Sequence, residues 1–156
     1  MTVKTQGTHL YFLNTLESTV ALVKLTCPTG ISGLGGARDQ IDSTCLDDTD
    51  DRRYVAGLGN PGQVSVPFNL HPEDASHQVL FDLKESGETL SWIICLSDGT
   101  AVPTLTDDEI TPPTGRTSAE FQAFVQDVNI DAATNDIVKG TLTLQRSGKV
   151  TWNWKA

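Results

Sequence analysis

Hydrophobic and polar positions alternate with a period of two along much of the chain, the pattern of strands that bury one face. The clearest case is Val64 to Leu70: Val64, Val66, Phe68 and Leu70 share one side, Ser65, Pro67 and Asn69 the other. Pro67 has no N–H to give a ladder, so its outward position predicts an edge strand or a bulge. Two shorter apolar runs bounded by polar residues, in Thr8 to Leu13 and Val20 to Leu25, predict two more strands. Leu90 to Leu96 (LSWIICL) is apolar on both parities and predicts a buried strand. In Phe121 to Ile130 the apolar set changes sides, from Phe121, Ala123 and Val125 to Phe124, Val128 and Ile130. That change predicts a bulge or a strand that packs on different partners along its length.

One segment has the helical period. From Pro72 to about Ser86, Ala75, Val79, Leu80 and Leu83 fall on one face, with His77, Gln78, Asp82, Lys84 and Glu85 largely on the other. Pro72 suits the first helical position, Glu73 and Asp74 suit the positive end of the dipole, and Gly87 supplies the left-handed stop. Phe81 breaks the pattern by projecting from the polar face. Near the C-terminus, Val138, Leu142 and Leu144 alternate with polar residues, as do Val150, Trp152 and Trp154 beyond Ser147-Gly148. A hairpin with a three-residue loop, Ser147 to Lys149, pairs Leu144 with Trp152 and puts both apolar sets on one face, so that register is expected.

Between these elements the chain loosens. GISGLGGA, from Gly30 to Ala37, has four glycines in its first seven residues and predicts irregular backbone. Ser97 to Gly115 reads as a long loop. The stretch from Arg38 to Gly62 packs Asp39, Asp42, Asp47, Asp48, Asp50 and Asp51 into one run, followed at once by Arg52 and Arg53, with a short strand expected at Ile41 to Leu46. Taken alone, such a charge run is a solvated loop.

Composition narrows the function. The 156 residues match the commonest domain size, and the net charge of −9 lacks the lysine and arginine excess that gripping nucleic-acid phosphates requires. An acidic surface does suit a passage that DNA crosses without sticking, since like charges repel within a Debye length of about 8–10 Å. Cys27, Cys45 and Cys95 are odd in number and widely spaced, the usage of a reducing compartment. MTVKTQGTHLYF has no signal-peptide pattern, and no apolar run reaches membrane-spanning length, so no membrane is expected.

Catalytic and cofactor motifs fail on context. Gly57, Gly59 and Gly62 spell G-x-G-x-x-G, but Pro61 interrupts it and a strand follows where the dinucleotide motif opens a helix. Neither glycine cluster carries a Walker A lysine, the histidines lack zinc-site spacing, and no G-x-S-x-G elbow is present. Asp47, Asp48, Asp50 and Asp51 lack the EF-hand order of ligands. No enzyme, metal site or cofactor is expected.

The order of elements resembles the major tail tube proteins of long-tailed bacteriophages, the N-terminal domain of the lambda-type family in particular. The resemblance is carried by LDDTDDRRYVAGLGNPGQVSVPF, by HPEDASHQVLFDLKESGETLSWIICLSDG, and by FQAFVQDVNI with VKGTLTLQRSG. It implies a mainly β fold, a β-sandwich or partly open barrel with one flanking α-helix, as also in type VI secretion tubes. It further implies one tail-tube-like domain over residues 1–156, with a long flexible loop at about 28–62. Such subunits form stacked hexameric rings, a virion tube made in the bacterial cytoplasm. Their partners are copies of themselves, tail proteins such as the tape measure and terminator, and DNA that passes through an acidic lumen unbound. On that resemblance Asp47, Asp48, Asp50, Asp51, Arg52, Arg53 and Tyr54 make contacts between subunits, and Phe81 fills a neighbour's pocket. The alternatives are an acidic β-sandwich module that binds calcium or a basic partner, and a related neck, terminator or secretion-tube subunit.

Overall fold

The computed structural model describes residues 1–155. Its frame is a six-stranded antiparallel sheet, built from β1 (His9–Asn14), β2 (Ala21–Lys24), β5 (Gln63–Asn69), β6 (Leu90–Cys95), β9 (Ser118–Asp131) and β10 (Lys139–Asn153) in the order β2-β1-β6-β9-β10-β5. Two hairpins stand apart from it: β3 (Arg38–Asp42) with β4 (Tyr54–Gly59), and β7 (Thr104–Thr106) with β8 (Glu109–Thr111). One helix, α1 (Ala75–Ser86), completes the set. The mainly β expectation with a single flanking helix holds.

The sheet rolls because the chain leaving one edge strand seals the other. After β2 the backbone crosses to β5, where Thr29 N–H donates to Pro67 O (2.8 Å) and Ser32 and Ser65 exchange bonds of 3.0 and 2.9 Å. Since Ser65 N–H points to this outer side, Pro67, of the same parity, places its missing donor there and not in the β10 ladder. The result is a partly open barrel with its main core inside. Phe12, Trp92, Phe68, Val66, Leu142 and Leu144 meet Leu80 and Leu83 of α1 there. Tyr11, Leu13, Ile93 and Cys95 face outward beneath Ile110 and Leu105 of the β7–β8 hairpin. This second cluster explains why LSWIIC is apolar on both parities.

The long loop expected from Ser97 to Gly115 therefore contains a hairpin, turned by Asp107 and Asp108, both at positive φ (49° and 62°). Aspartate is among the few residues that take that region readily. Arg116, nearly fully buried, ties the base of this segment. Its guanidinium donates to the carbonyls of Leu96 (2.5 Å), Ala101 (2.8 Å) and Gly7 (2.8 Å). A second polar knot fixes the helix. Asp74 is the N-cap, accepting from Ser76 N–H (2.9 Å), Ser76 Oγ (2.7 Å) and Thr26 Oγ1 (2.7 Å). The helix thus begins at Ala75 and Pro72 lies outside it, because a side chain that satisfies the free N–H groups sets the start. Gly87 ends it at φ 66° as expected.

His77 departs from the expected polar face: it is 1% exposed. His71 N–H donates to Nδ1 (3.0 Å), so the ring proton lies on Nε2, which donates to Thr26 O (2.6 Å). Helical period assigns a histidine to the surface, but here its ring bonds bridge the helix to the chain leaving β2. Phe81 does project outward, 39% exposed.

The expected C-terminal hairpin does not form. β10 runs straight through Ser147–Lys149 as one strand against β9, pairing Leu144 with Val125 and Trp152 with Ala119. The register slips between Ser147 and Thr151, and Gly148, at φ 81°, accommodates an irregularity where a turn was expected. β9, fourteen residues long, reaches far enough to pair with both halves. The bulge expected in β9 is present: Thr143 faces Asp127 and Leu144 faces Val125, leaving Gln126 unpaired. This extra residue returns Val128 to the same buried side as Phe121, Ala123 and Val125.

Two outcomes test the packing. A Cβ at Gly140 would stand 2.5 Å from Phe68 Cζ, whose ring covers that position, so Gly140→Ala should destabilise by about 1–3 kcal/mol in urea unfolding. Hydrogen bonds from Ser76 and Thr26 lower the Asp74 pKa from 3.8 to about 2. The stabilisation from its charge is therefore complete above the ordinary value and lost as pH falls through about 2. Asp74→Ala should cost about 1–2 kcal/mol near neutrality, and its unfolding curve should converge on the wild type between pH 3.8 and about 2.

Candidate assembly surface

The acidic stretch folds as a hairpin where the sequence predicts a loop. Ile41 pairs with Val55 and Asp42 with Tyr54, and Ser43 N–H closes on Arg53 O (2.9 Å). The strand lies at Arg38–Asp42, not at Ile41 to Leu46, because Ser43 to Arg53 are taken up by the turn. Glycines flank the hairpin more than they fill it, and its β-branched and aromatic residues supply strand preference. Hydrogen bonds within the tip hold it. The side chain of Thr44 and then its N–H, which donates to Asp42 Oδ1 (2.9 Å), keep that carboxyl below its ordinary pKa, and Cys45 N–H donates to Asp48 Oδ2 (2.9 Å).

Every tip residue named from sequence lies on this one element. Asp48 and Arg53 are spent partly on each other, in an ion pair of 3.2 Å. Among the described residues Asp47, Asp50, Asp51 and Arg52 have no ion-pair partner. Tyr54 opens β4. Phe81 is not brought to them; it sits on α1, which no hydrogen bond or ion pair among the described residues joins to the hairpin. No group of three or more His, Cys, Asp or Glu there is placed to hold a metal ion.

What distinguishes the hairpin is its exposed apolar surface. Among the described residues β3 and β4 pair with each other and with no other strand. Ile41 and Val55 stand exposed as register partners, Tyr54 is exposed, Leu58 is 84% exposed, and Leu46 at the tip is fully so. A lone two-stranded hairpin is marginal in water, and here both of its faces and its tip carry exposed apolar side chains.

Sequence reasoning missed the cleft at the hairpin's root. It encloses about 610 Å³ between the glycine-rich segments on either side of the hairpin and the distal half of β10. Leu34, Val150 and Trp152 line it together with Arg38, Arg146 and Lys149. Arg146 is 4% exposed, donates from Nη2 to Gly35 O, and has no acceptor for Nε. Burial lowers its pKa. Trp152 stacks on Trp154, ring centroids 5.2 Å apart. The one sequence signal was three cations close to glycine, in segments more than a hundred residues apart.

The whole chain, residues 1–156, matches the family described as phage tail tube, TTP, lambda-like. The chain belongs to that family. It is a structural protein of the virion tail. It is 36% identical over 152 residues to Structural protein 3 of Pseudomonas phage PAJU2, covering 94% of this chain and 91% of that protein. Solved structures share the fold. The SPP1 tail tube is similar at a TM-score of 0.72 and 11% identity, over 99% of this chain and 80% of that one. The sheath/tube terminator of the PVC extracellular contractile injection system is similar at 0.69 and 16%, over 99% and 98%. The baseplate of the anti-feeding prophage gives 0.69 and 13%, over 98% and 96%. Among the described residues no helix is long and apolar enough to cross a membrane.

Because the hairpin stands off the core, Asp48→Ala should shift global unfolding by less than about 1 kcal/mol while raising amide exchange at Cys45. A larger global loss would mean that the hairpin is part of the cooperative core.

Proposed function

We propose that copies of this chain associate into six-fold rings that stack into the tail tube, with the β3–β4 hairpin as the arm that reaches a neighbouring subunit. The observation that carries this reading is the hairpin itself, unpaired with any other strand and apolar on its exposed surfaces. Within a ring, free strand edges supply the complementary contacts. β2 is an edge strand, and beyond Gln145 β10 is paired on one side only. Edge-to-edge joining removes such exposed ladders.

Each chain acts as one structural domain without catalytic function, and its net charge of −9 suits a conduit through which DNA moves without being held. Asp47, Asp48, Asp50, Asp51, Arg52, Arg53 and Tyr54 lie in the arm's contact surface, and Phe81 is a second contact point. The ends of the tube meet other tail proteins, a terminator and a tape measure among them. Exposed ion pairs contribute only about 0–1 kcal/mol each, so repetition around a ring gives them their weight in register and specificity.

Replacing residues 43–53 by Asn-Gly joins Asp42 to Tyr54 through a two-residue turn that preserves their pairing. At high concentration the wild type should form rings or tubes by electron microscopy, whereas the shortened chain should stay a folded monomer by sedimentation and circular dichroism. Tubes from the shortened chain at the wild-type rate would remove the hairpin from this role. A wild type that stays monomeric at every concentration and salt would remove the self-assembly itself.

A further inference from the structure

The cleft at the hairpin's root has the chemistry that the hairpin's tip lacks. In a chain of net charge −9, three cations converge there, Arg38, Arg146 and Lys149, beside an apolar wall of Leu34, Val150 and Trp152. The tip offers the converse: Leu46 fully exposed, beside Asp47, Asp50 and Asp51, which have no ion-pair partner among the described residues. Arg146 adds an independent sign of a missing ligand. It is 96% withdrawn from solvent, it lines the cleft, and its Nε–H has no acceptor. A buried cation with an unmet donor is costly; an incoming carboxylate neutralises it, and a turn of the guanidinium toward the cleft brings the Nε–H to that acceptor.

The tip cannot serve its own cleft. Arg38 and Gly59, where the hairpin leaves the sheet, line the cleft, and the paired strand from Arg38 to Ser43 extends roughly 17 Å before the turn begins. Each chain thus carries a donor tip and a receptor cleft at opposite ends of one paired hairpin. A contact between unlike patches is heterologous, and such contacts close into rings or propagate as filaments.

We propose that the cleft receives the hairpin tip of a second copy of this chain, Leu46 packing toward Trp152, Val150 and Leu34, and the carboxylates of Asp47, Asp50 and Asp51 facing Arg38, Arg146 and Lys149. The proposal rests on the hairpin being an assembly arm and names where that arm ends. The fit is both apolar and ionic. Trp152, stacked on Trp154, supplies a flat aromatic surface for Leu46 to cover. The cations set the register and reject a cationic segment.

A charge exchange tests this in the full chain. One variant carries Asp50→Lys and Asp51→Lys, another Arg38→Glu and Lys149→Glu, and a third carries all four, which leaves the net charge at the wild-type value. The first two should raise the concentration needed for assembly at least about tenfold, and the combined chain should recover most of that loss. Circular dichroism and tryptophan fluorescence check that each remains folded, and Lys149→Glu alone, an exposed position, repeats the cleft arm with the smallest disturbance. A combined chain no better than its parents, or a cleft variant that assembles like wild type, overturns the proposal. So does a wild type that binds a short DNA duplex through Arg38 and Lys149 while assembly ignores them, since the cleft is then a polyanion site. Failure of the exchange with loss of assembly in the tip-shortened chain defeats this receptor alone and leaves the arm in place.

Discussion

The ladder between β9 and β10 holds the structure together, and the two places where it slips shape everything beside it. At Gln126 an extra residue on β9 resets the side-chain parity, so one long strand keeps its apolar residues inward along a curved sheet. Between Ser147 and Thr151 the slip is on β10, just past the last residue that pairs with β5. From there β10 has a partner on one side only, and the space that β5 vacates is where the hairpin roots and the cleft opens.

Two buried polar knots keep this frame in one arrangement. His77, Thr26, Asp74 and Ser76 join the start of the helix to the chain leaving β2. That same chain continues onto β5 and seals the open edge. Arg116 does comparable work beside the start of β1, gathering carbonyls from the N-terminal segment and from the loop after β6. Each joins several hydrogen-bonding groups through one or two side chains, so losing either leaves several partners unmet at once.

Assembly follows from what this frame leaves uncovered. A rolled sheet hides its apolar face with one helix and one small hairpin, but among the described residues no other strand pairs with β3–β4. Ile41, Leu46, Val55 and Leu58 stand exposed on it. Membership of the lambda-like tail tube family and the element that lacks a partner point to the same conclusion from independent directions.

The sequence by itself determined the elements whose signals are local. Strict alternation marked β5, and Pro67 marked it as an edge; the parity change marked the bulge in β9; Gly87 marked the end of the helix. The acidic tip and the outward Phe81 were legible for the same reason, since each depends on residues within a few positions of one another. Tertiary structure decided the rest. Alternation around Gly148 is the same whether the chain turns or bulges, and only the reach of β9 chose the bulge. His77 reads as surface by period, and its burial came from Thr26 and His71, segments the helix itself does not contain. The cleft was invisible because Arg38 and Arg146 meet only when strands far apart in sequence are folded side by side. Local pattern fixes which face of an element is apolar; which partner covers that face is a long-range pairing that no short window contains.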